Sequence, residues 1–178
     1  MKSKIIKIIV LITIIIIVII SLLVYRFNSR KILYGYMNNV RISNVGAINY
    51  SIPKEKRGKI SQNLNEYAYM YYGFVVSNTS EKFKAENINF EPQFADEMKD
   101  NVVWYDSTDD VYPGQSTLEN KKVGECERIV LVKRNGYTDD ELINMAKKDK
   151  FKMIYWSIEG DSILSMGKSK QIVEYEDN

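Results

Sequence analysis

Apolar positions recur along this chain in three rhythms, and each predicts a different element. From Ile8 to Val24 the residues read IIVLITIIIIVIISLLV, polar only at Thr13 and Ser21. With Tyr25 the run makes eighteen residues, about 27 Å of helix at 1.5 Å per residue, close to the thickness of a bilayer's hydrocarbon core. A run of this length satisfies its own backbone hydrogen bonds in lipid as a helix, and insertion is favourable by about 5 kcal/mol. The sequence therefore predicts a transmembrane helix over about 8–25, inside an N-terminal region of residues 1–31.

Beyond residue 31 the rhythm shortens to two. In NEYAYMYYGFVVSNTS (65–80), Ala68, Met70, Tyr72, Phe74 and Val76 fall on one face, and Tyr67, Tyr69, Tyr71, Gly73 and Val75 on the other. Both faces are largely apolar or aromatic, which predicts a central strand. Further strands are predicted over 40–52, 82–94 (cut by Pro92), 101–107, 127–134, 151–158, 162–166 and 171–176. KEKRGK (54–59) reads as a charged loop, and NSRKILYGYMNN (28–39) as a juxtamembrane segment.

The third rhythm is helical and short. Thr138 and Glu141 make a T-x-x-E capping box, Leu142, Met145 and Ala146 share a face, and Lys147, Lys148 and Lys150 lie at the C-terminal end. Seven or eight short strands with one helix in a connection predict a mainly β fold, an antiparallel β-sandwich, with a partly open barrel as the alternative. Residues 32–64 then hold the juxtamembrane segment and a first strand, and 65–178 the rest of the sandwich.

Several features mark the helix at 8–25 as a retained signal anchor. A cleaved signal has a shorter apolar core and small residues after it, whereas Tyr25-Arg26-Phe27-Asn28-Ser29-Arg30-Lys31 follows here. Lys2, Lys4 and Lys7 with the amino terminus face Arg26, Arg30 and Lys31, a near balance that the extra amino charge tips towards a cytoplasmic N-terminus and a C-terminal domain outside.

Charge and composition remove whole classes of function. Six of the 25 Lys and Arg lie in the anchor region, leaving 19 against 23 acids and a net charge of −4 on the remainder. That balance argues against a nucleic-acid partner. The chain has no His, which excludes Ser-His-Asp and Cys-His catalysis and His-ligated zinc. Cys126 is its one cysteine, so no internal disulfide forms, and Glu125 and Glu127 beside it are expected to raise its thiol pKa.

Four features remain as candidate chemistry. Tyr67, Tyr69 and Tyr71 form a stripe suited to a ligand or partner, although tyrosine also favours strands by propensity alone. Asp106, Thr108 and Asp110 have the offsets of the first three ligands of a calcium loop, but Val111 stands at the turn glycine and Thr117 at the distal glutamate. A solvated acidic loop with no metal is expected there. Asp96-Glu97 and Asp139-Asp140-Glu141 are acid pairs of the kind glycosidases use, and the second group is accounted for by helix capping.

The order of short motifs resembles a known family. A strand ending VVSNTSE, a second with INFEP, a loop with YPGQS and then RIVLV resemble the telokin-like, immunoglobulin-fold domains displayed outside the membrane by many Gram-positive lipoproteins and membrane-anchored proteins. Asn78-Thr79-Ser80 and Pro113-Gly114-Gln115-Ser116 carry the likeness, which spans about residues 65–158. The chain differs in having no lipid-attachment Cys and in inserting the 138–148 helix. The resemblance implies an immunoglobulin-like binding or structural module, with no catalytic residues and no cofactor. The expectation is therefore a membrane-anchored, non-enzymatic module that contacts the bilayer through 8–25 and a protein partner in the bacterial envelope. The opposing expectation is a His-independent enzyme using carboxylates or a metal.

Overall fold

The computed structural model describes residues 2–28, 31–48, 52–105, 117–159 and 167–177; in the first segment it describes the side chains of Ile6 and of 9–23. Helix α1 (Lys2–Asn28) comes first, followed by β1 (Leu33–Asn44), α2 (Lys54–Gln62), a 3-10 turn (Leu64–Glu66), β2 (Tyr67–Asn78) and β3 (Lys84–Gln93). Then come α3 (Asp96–Lys99), β4 (Val102–Tyr105), β5 (Thr117–Leu118), β6 (Val123–Lys133), α4 (Asp139–Ala146), β7 (Lys150–Ile158) and β8 (Gly167–Val173).

The strands form two four-stranded antiparallel sheets, ordered β1-β2-β6-β4 and β5-β3-β7-β8. They face each other as a mainly β sandwich. β2 is central, paired with β1 from Leu33↔Asn78 to Asn44↔Ala68 and with β6 from Tyr67↔Lys133 to Ser77↔Val123. Its even-numbered residues are buried between the sheets, as the alternation predicts: Ala68, Met70 and Tyr72 are fully enclosed and Phe74 is 1% exposed. Phe74 stacks on Phe90 of the other sheet at 4.2 Å and meets Phe151 edge-on at 4.9 Å. An aromatic side chain so placed contributes about 1.5–3 kcal/mol by burial and about 0.5–1.5 kcal/mol more by ring geometry.

One side of the sandwich is stitched shut. Met37 of β1 donates its N–H to Glu174 O (2.9 Å) and accepts from Glu176 N–H (3.0 Å), so the short segment following β8 bridges in parallel to the edge of β1 at Tyr175. That contact gives the sandwich a barrel-like seam along one edge.

Several expectations need correction: the single connecting helix is joined by α2 and α3, and the last strand is Gly167–Val173 and not 171–176. The first strand is not 40–52 but β1 (Leu33–Asn44), which takes in most of the segment read as juxtamembrane. Its register slips between Met37 and Asn39; the bulge breaks the period of two, and Asn38 and Asn39 hide the strand. At the bulge Gly73 lies so close that a Cβ would meet Asn38 Oδ1 at 3.2 Å.

KEKRGK is not a loop but most of α2, an exposed helix that buries Ile60 alone. Its charges are helix formers that solvate the outer face, and Ile60 supplies the one apolar anchor. Pro92 does not cut β3, which runs on to Gln93. β5 pairs only with Ala85 and Glu86, so beyond them β3 has an open edge where a missing N–H costs no ladder bond. The strand expected at 162–166 lies outside the described residues.

α4 begins where predicted. Thr138 Oγ1 accepts from Glu141 N–H at 3.3 Å, and Glu141 Oε2 accepts from Thr138 N–H at 2.8 Å, closing the capping box. The Thr138 N–H, followed by the Thr138 hydroxyl, which donates to the same carboxylate oxygen at 2.9 Å, holds the Glu141 carboxyl below its ordinary pKa.

In α1 every apolar side chain from Ile9 to Leu23 is between 45% and 62% exposed, on all faces of the helix. Thr13 turns its hydroxyl inward, donating to Ile9 O at 3.0 Å. Among the described residues no helix is long and apolar enough to cross a membrane; the described side chains of α1 make up a run shorter than a span.

Candidate functional site

The tyrosine stripe on the outer face of β2 is divided by what covers it. Val45, just after β1, and Ile52 and Ile60, the latter on α2, lie across this face. Val45, Ile52, Ile60 and Leu131 close over Tyr69, leaving it 8% exposed. Its hydroxyl donates to Ala47 O at 3.0 Å, and its ring meets Tyr71 at 6.5 Å and 64°. Tyr69 is therefore the centre of a second, smaller core and not a surface contact. Tyr67 packs half-buried at the rim of the same cluster.

Tyr71, like Tyr67, is half-buried against the same cluster, and beyond it the stripe meets charged neighbours. Across the strand pair Arg41 of β1 lies opposite it, with the guanidinium carbon 3.9 Å from the ring centroid. The same guanidinium reaches Glu127 of β6 at 2.9 and 3.1 Å. The result is a planar cation stacked on an aromatic ring and oriented by a carboxylate, an arrangement suited to contacting a polar partner surface. Exposed ion pairs add little stability by themselves.

Tyr72, on the opposite face, is enclosed between the sheets. Its hydroxyl donates to Asp149 Oδ2 at 2.6 Å, while Asp149 Oδ1 accepts from Ala95 N–H at 2.7 Å. Asp149 is 1% exposed, and burial pushes its carboxyl up to about 6, against the pull of these two hydrogen bonds. Burial, followed by the neighbouring Asp149, raises the Tyr72 hydroxyl well above its ordinary pKa. This strut ties β2 to the segment before α3 and to the start of β7. Sequence reasoning missed it, the one signal being an acid placed between two lysines directly after a helix.

The acid pairs are engaged elsewhere. Asp96 binds Lys99 at 2.6 Å, which lowers its pKa, and Glu97 binds Lys148 at 2.6 Å. Asp139 pairs with Arg134. Asp96, Glu97, Asp100, Asn101, Asn135 and Tyr137 line an open groove of about 500 Å³, with no enclosed space that would hold a substrate away from water. Asp106, Thr108 and Asp110 lie outside the described residues. Among the described residues no group of three or more His, Cys, Asp or Glu is placed to hold a metal ion.

Cys126 is half-buried in β6, and burial pushes its thiol up to about 12, partly offset by Arg128. The cause is desolvation and not the flanking glutamates. Arg128 of the same strand is almost buried and bonds Asn89 of β3, bridging the two sheets.

No protein-family model matches the chain, and no curated protein matches it. Among solved structures it is similar to a FixG-related protein from Vibrio parahaemolyticus, at 11% identity and a TM-score of 0.25, over 83% of this chain and 99% of the other.

Proposed function

We propose that this protein is a single-pass membrane protein whose β-sandwich acts outside the cell as a binding or structural module, through protein or surface-ligand contacts in the bacterial envelope. The observation that carries the reading is α1. The described isoleucines, leucines and valines of α1 stand about half exposed on every face, and an all-round apolar helix is at home in lipid. The apolar run of 8–25 and its lysine and arginine flanks support the span and its direction, with the N-terminus cytoplasmic.

An immunoglobulin-like assignment of the sandwich draws support from strand order. β1-β2-β6-β4 against β3-β7-β8 follows the A-B-E-D and C-F-G arrangement, with β5 added beside β3. The telokin-like resemblance agrees with that order and with the role of the turn after β2, where Asn78 Nδ2 donates to Phe83 O and Leu118 O. The partner contact is assigned to the Arg41–Tyr71–Glu127 patch, with Tyr67 at its margin.

Two measurements test this. Replacing Ile14 and Ile17 together by Arg adds about 6–8 kcal/mol to insertion; the wild-type chain should stay in the membrane pellet after alkaline extraction and the double variant should leave it. A photo-crosslinking residue at Tyr71 should trap a partner that one at Ile172, exposed on the other sheet, does not. A chain extracted like a soluble protein, or identical products from both positions, would overturn the corresponding half of the proposal.

A further inference from the structure

The end of the sandwich that receives the chain from α1 is built unusually firmly. Ile32 and Leu33 are 7% and 5% exposed, and both donate their N–H groups to the Tyr155 hydroxyl of β7, at 3.0 and 3.3 Å. Ile32 O accepts from Thr79 N–H at 2.9 Å and from Thr79 Oγ1 at 3.1 Å. Both sheets thus grip the first residues after the helix. Only residues 29–31 separate Asn28 from that grip, a reach of at most about 14 Å.

The neighbouring turns are fastened to the same place. Asn78 donates its N–H to Lys122 O at 2.8 Å, and Asn120 Nδ2 donates to Glu81 O at 2.9 Å, so the β2–β3 and β5–β6 turns are joined one residue from Thr79. What they present outward is distinctive. Val123 is 64% exposed, more than any other large apolar side chain described, α1 included. Lys121 and Lys122 directly precede it, and Lys82 lies in the turn bonded to theirs, all three exposed, with Lys31 beside the grip. Glu81, which pairs with Lys121 at 3.5 Å, and Glu119 are the acids nearby.

We infer that this end is a membrane-apposed face: Lys82, Lys121 and Lys122 engage anionic lipid headgroups around Val123 and hold the sandwich against the leaflet that α1 enters. The inference rests on the anchor reading of α1. The short tether supplies proximity, the cations supply attraction of roughly fivefold per lysine towards an anionic surface, and Val123 supplies an apolar contact at the headgroup boundary. The Arg41–Tyr71–Glu127 patch lies further along the same sheet and stays free for a partner.

The test uses the full chain in nanodiscs containing phosphatidylglycerol, in a Cys126→Ser background, with spin labels at Ile16→Cys, Val123→Cys or Tyr137→Cys. Collision with a water-soluble nickel reagent is compared with collision with oxygen. The label at 123 should show severalfold lower nickel access than the label at 137, and Lys82→Glu/Lys121→Glu/Lys122→Glu should bring the two together with no change in urea midpoint. Equal access at 123 and 137, with the label at 16 deep in lipid, overturns this inference and leaves the anchor standing. A label at 16 open to nickel overturns the anchor itself. Protection at 123 that survives in phosphatidylcholine discs or in the triple variant overturns the role of the lysines.

Discussion

Replacing Asp149 by Asn should change how the stability of the sandwich depends on pH, by an amount the structure sets. In the fold the carboxyl titrates at about 6 and in an open chain at 3.8. Between those values the folded state holds a proton that the unfolded chain has released. The stabilisation is therefore complete below pH 3.8 and is lost as pH rises through 6. A shift of about two units at 1.4 kcal/mol each makes the term about 3 kcal/mol. Asp149→Asn keeps the shape but has no titration, so the wild type should lose about 2.5 kcal/mol relative to the variant between pH 4 and 7.5.

The assay is urea unfolding of the full chain in detergent micelles, followed by the fluorescence of Trp104 and Trp156 at half-unit steps of pH. Other carboxylates titrate in both proteins and cancel in the difference. Stability curves that run parallel, their separation constant to within about 0.5 kcal/mol, would show that Asp149 titrates alike in both states and that the Tyr72–Asp149–Ala95 strut is misdescribed.

Other outcomes follow from the same contacts. Thr138→Ala removes the capping box of α4 and should cost about 1 kcal/mol in urea unfolding at neutral pH. Raised from 9.0 to about 12, the Cys126 thiol should alkylate about a thousandfold more slowly than an ordinary cysteine at pH 7.5, and at the ordinary rate once urea unfolds the chain. Tyr69→Ser should destabilise by about 3–5 kcal/mol, as large-to-small changes in a core do, whereas Tyr71→Ser should stay within about 1 kcal/mol and lose the partner crosslink. Equal destabilisation by the two would mean that α2 does not cover the strand as described.

Local signals were the ones the sequence carried plainly. The alternation in β2 identified both its faces and its central place, because each of its sides is buried by a neighbour: Tyr72 and Phe74 under the second sheet, Tyr69 under α2. The capping box located α4 because its hydrogen bonds lie within four residues. What stayed hidden depends on contacts distant in sequence. β1 was obscured by one bulge, and α2 by a composition that solvates three sides of a helix and buries only Ile60.

Tyr69 illustrates the limit for the site. Periodicity placed it correctly on the outer face with Tyr67 and Tyr71, but only the packing of Val45, Ile52 and Ile60 decides that it is buried while its two neighbours are half-buried. Arg41, which completes the surviving patch, lies 30 residues away and carries no local mark. Asp149 is similar, since its role depends on Tyr72, 77 positions earlier.

The central claim is that an anchored chain presents this sandwich outside the cell. The most direct measurement is protease accessibility of the full chain, tagged at its C-terminus, in intact bacterial spheroplasts alongside a cytoplasmic control protein. Loss of the tag while the control survives is the predicted result. A tag that persists until the membrane is lysed would place the sandwich inside and contradict the account.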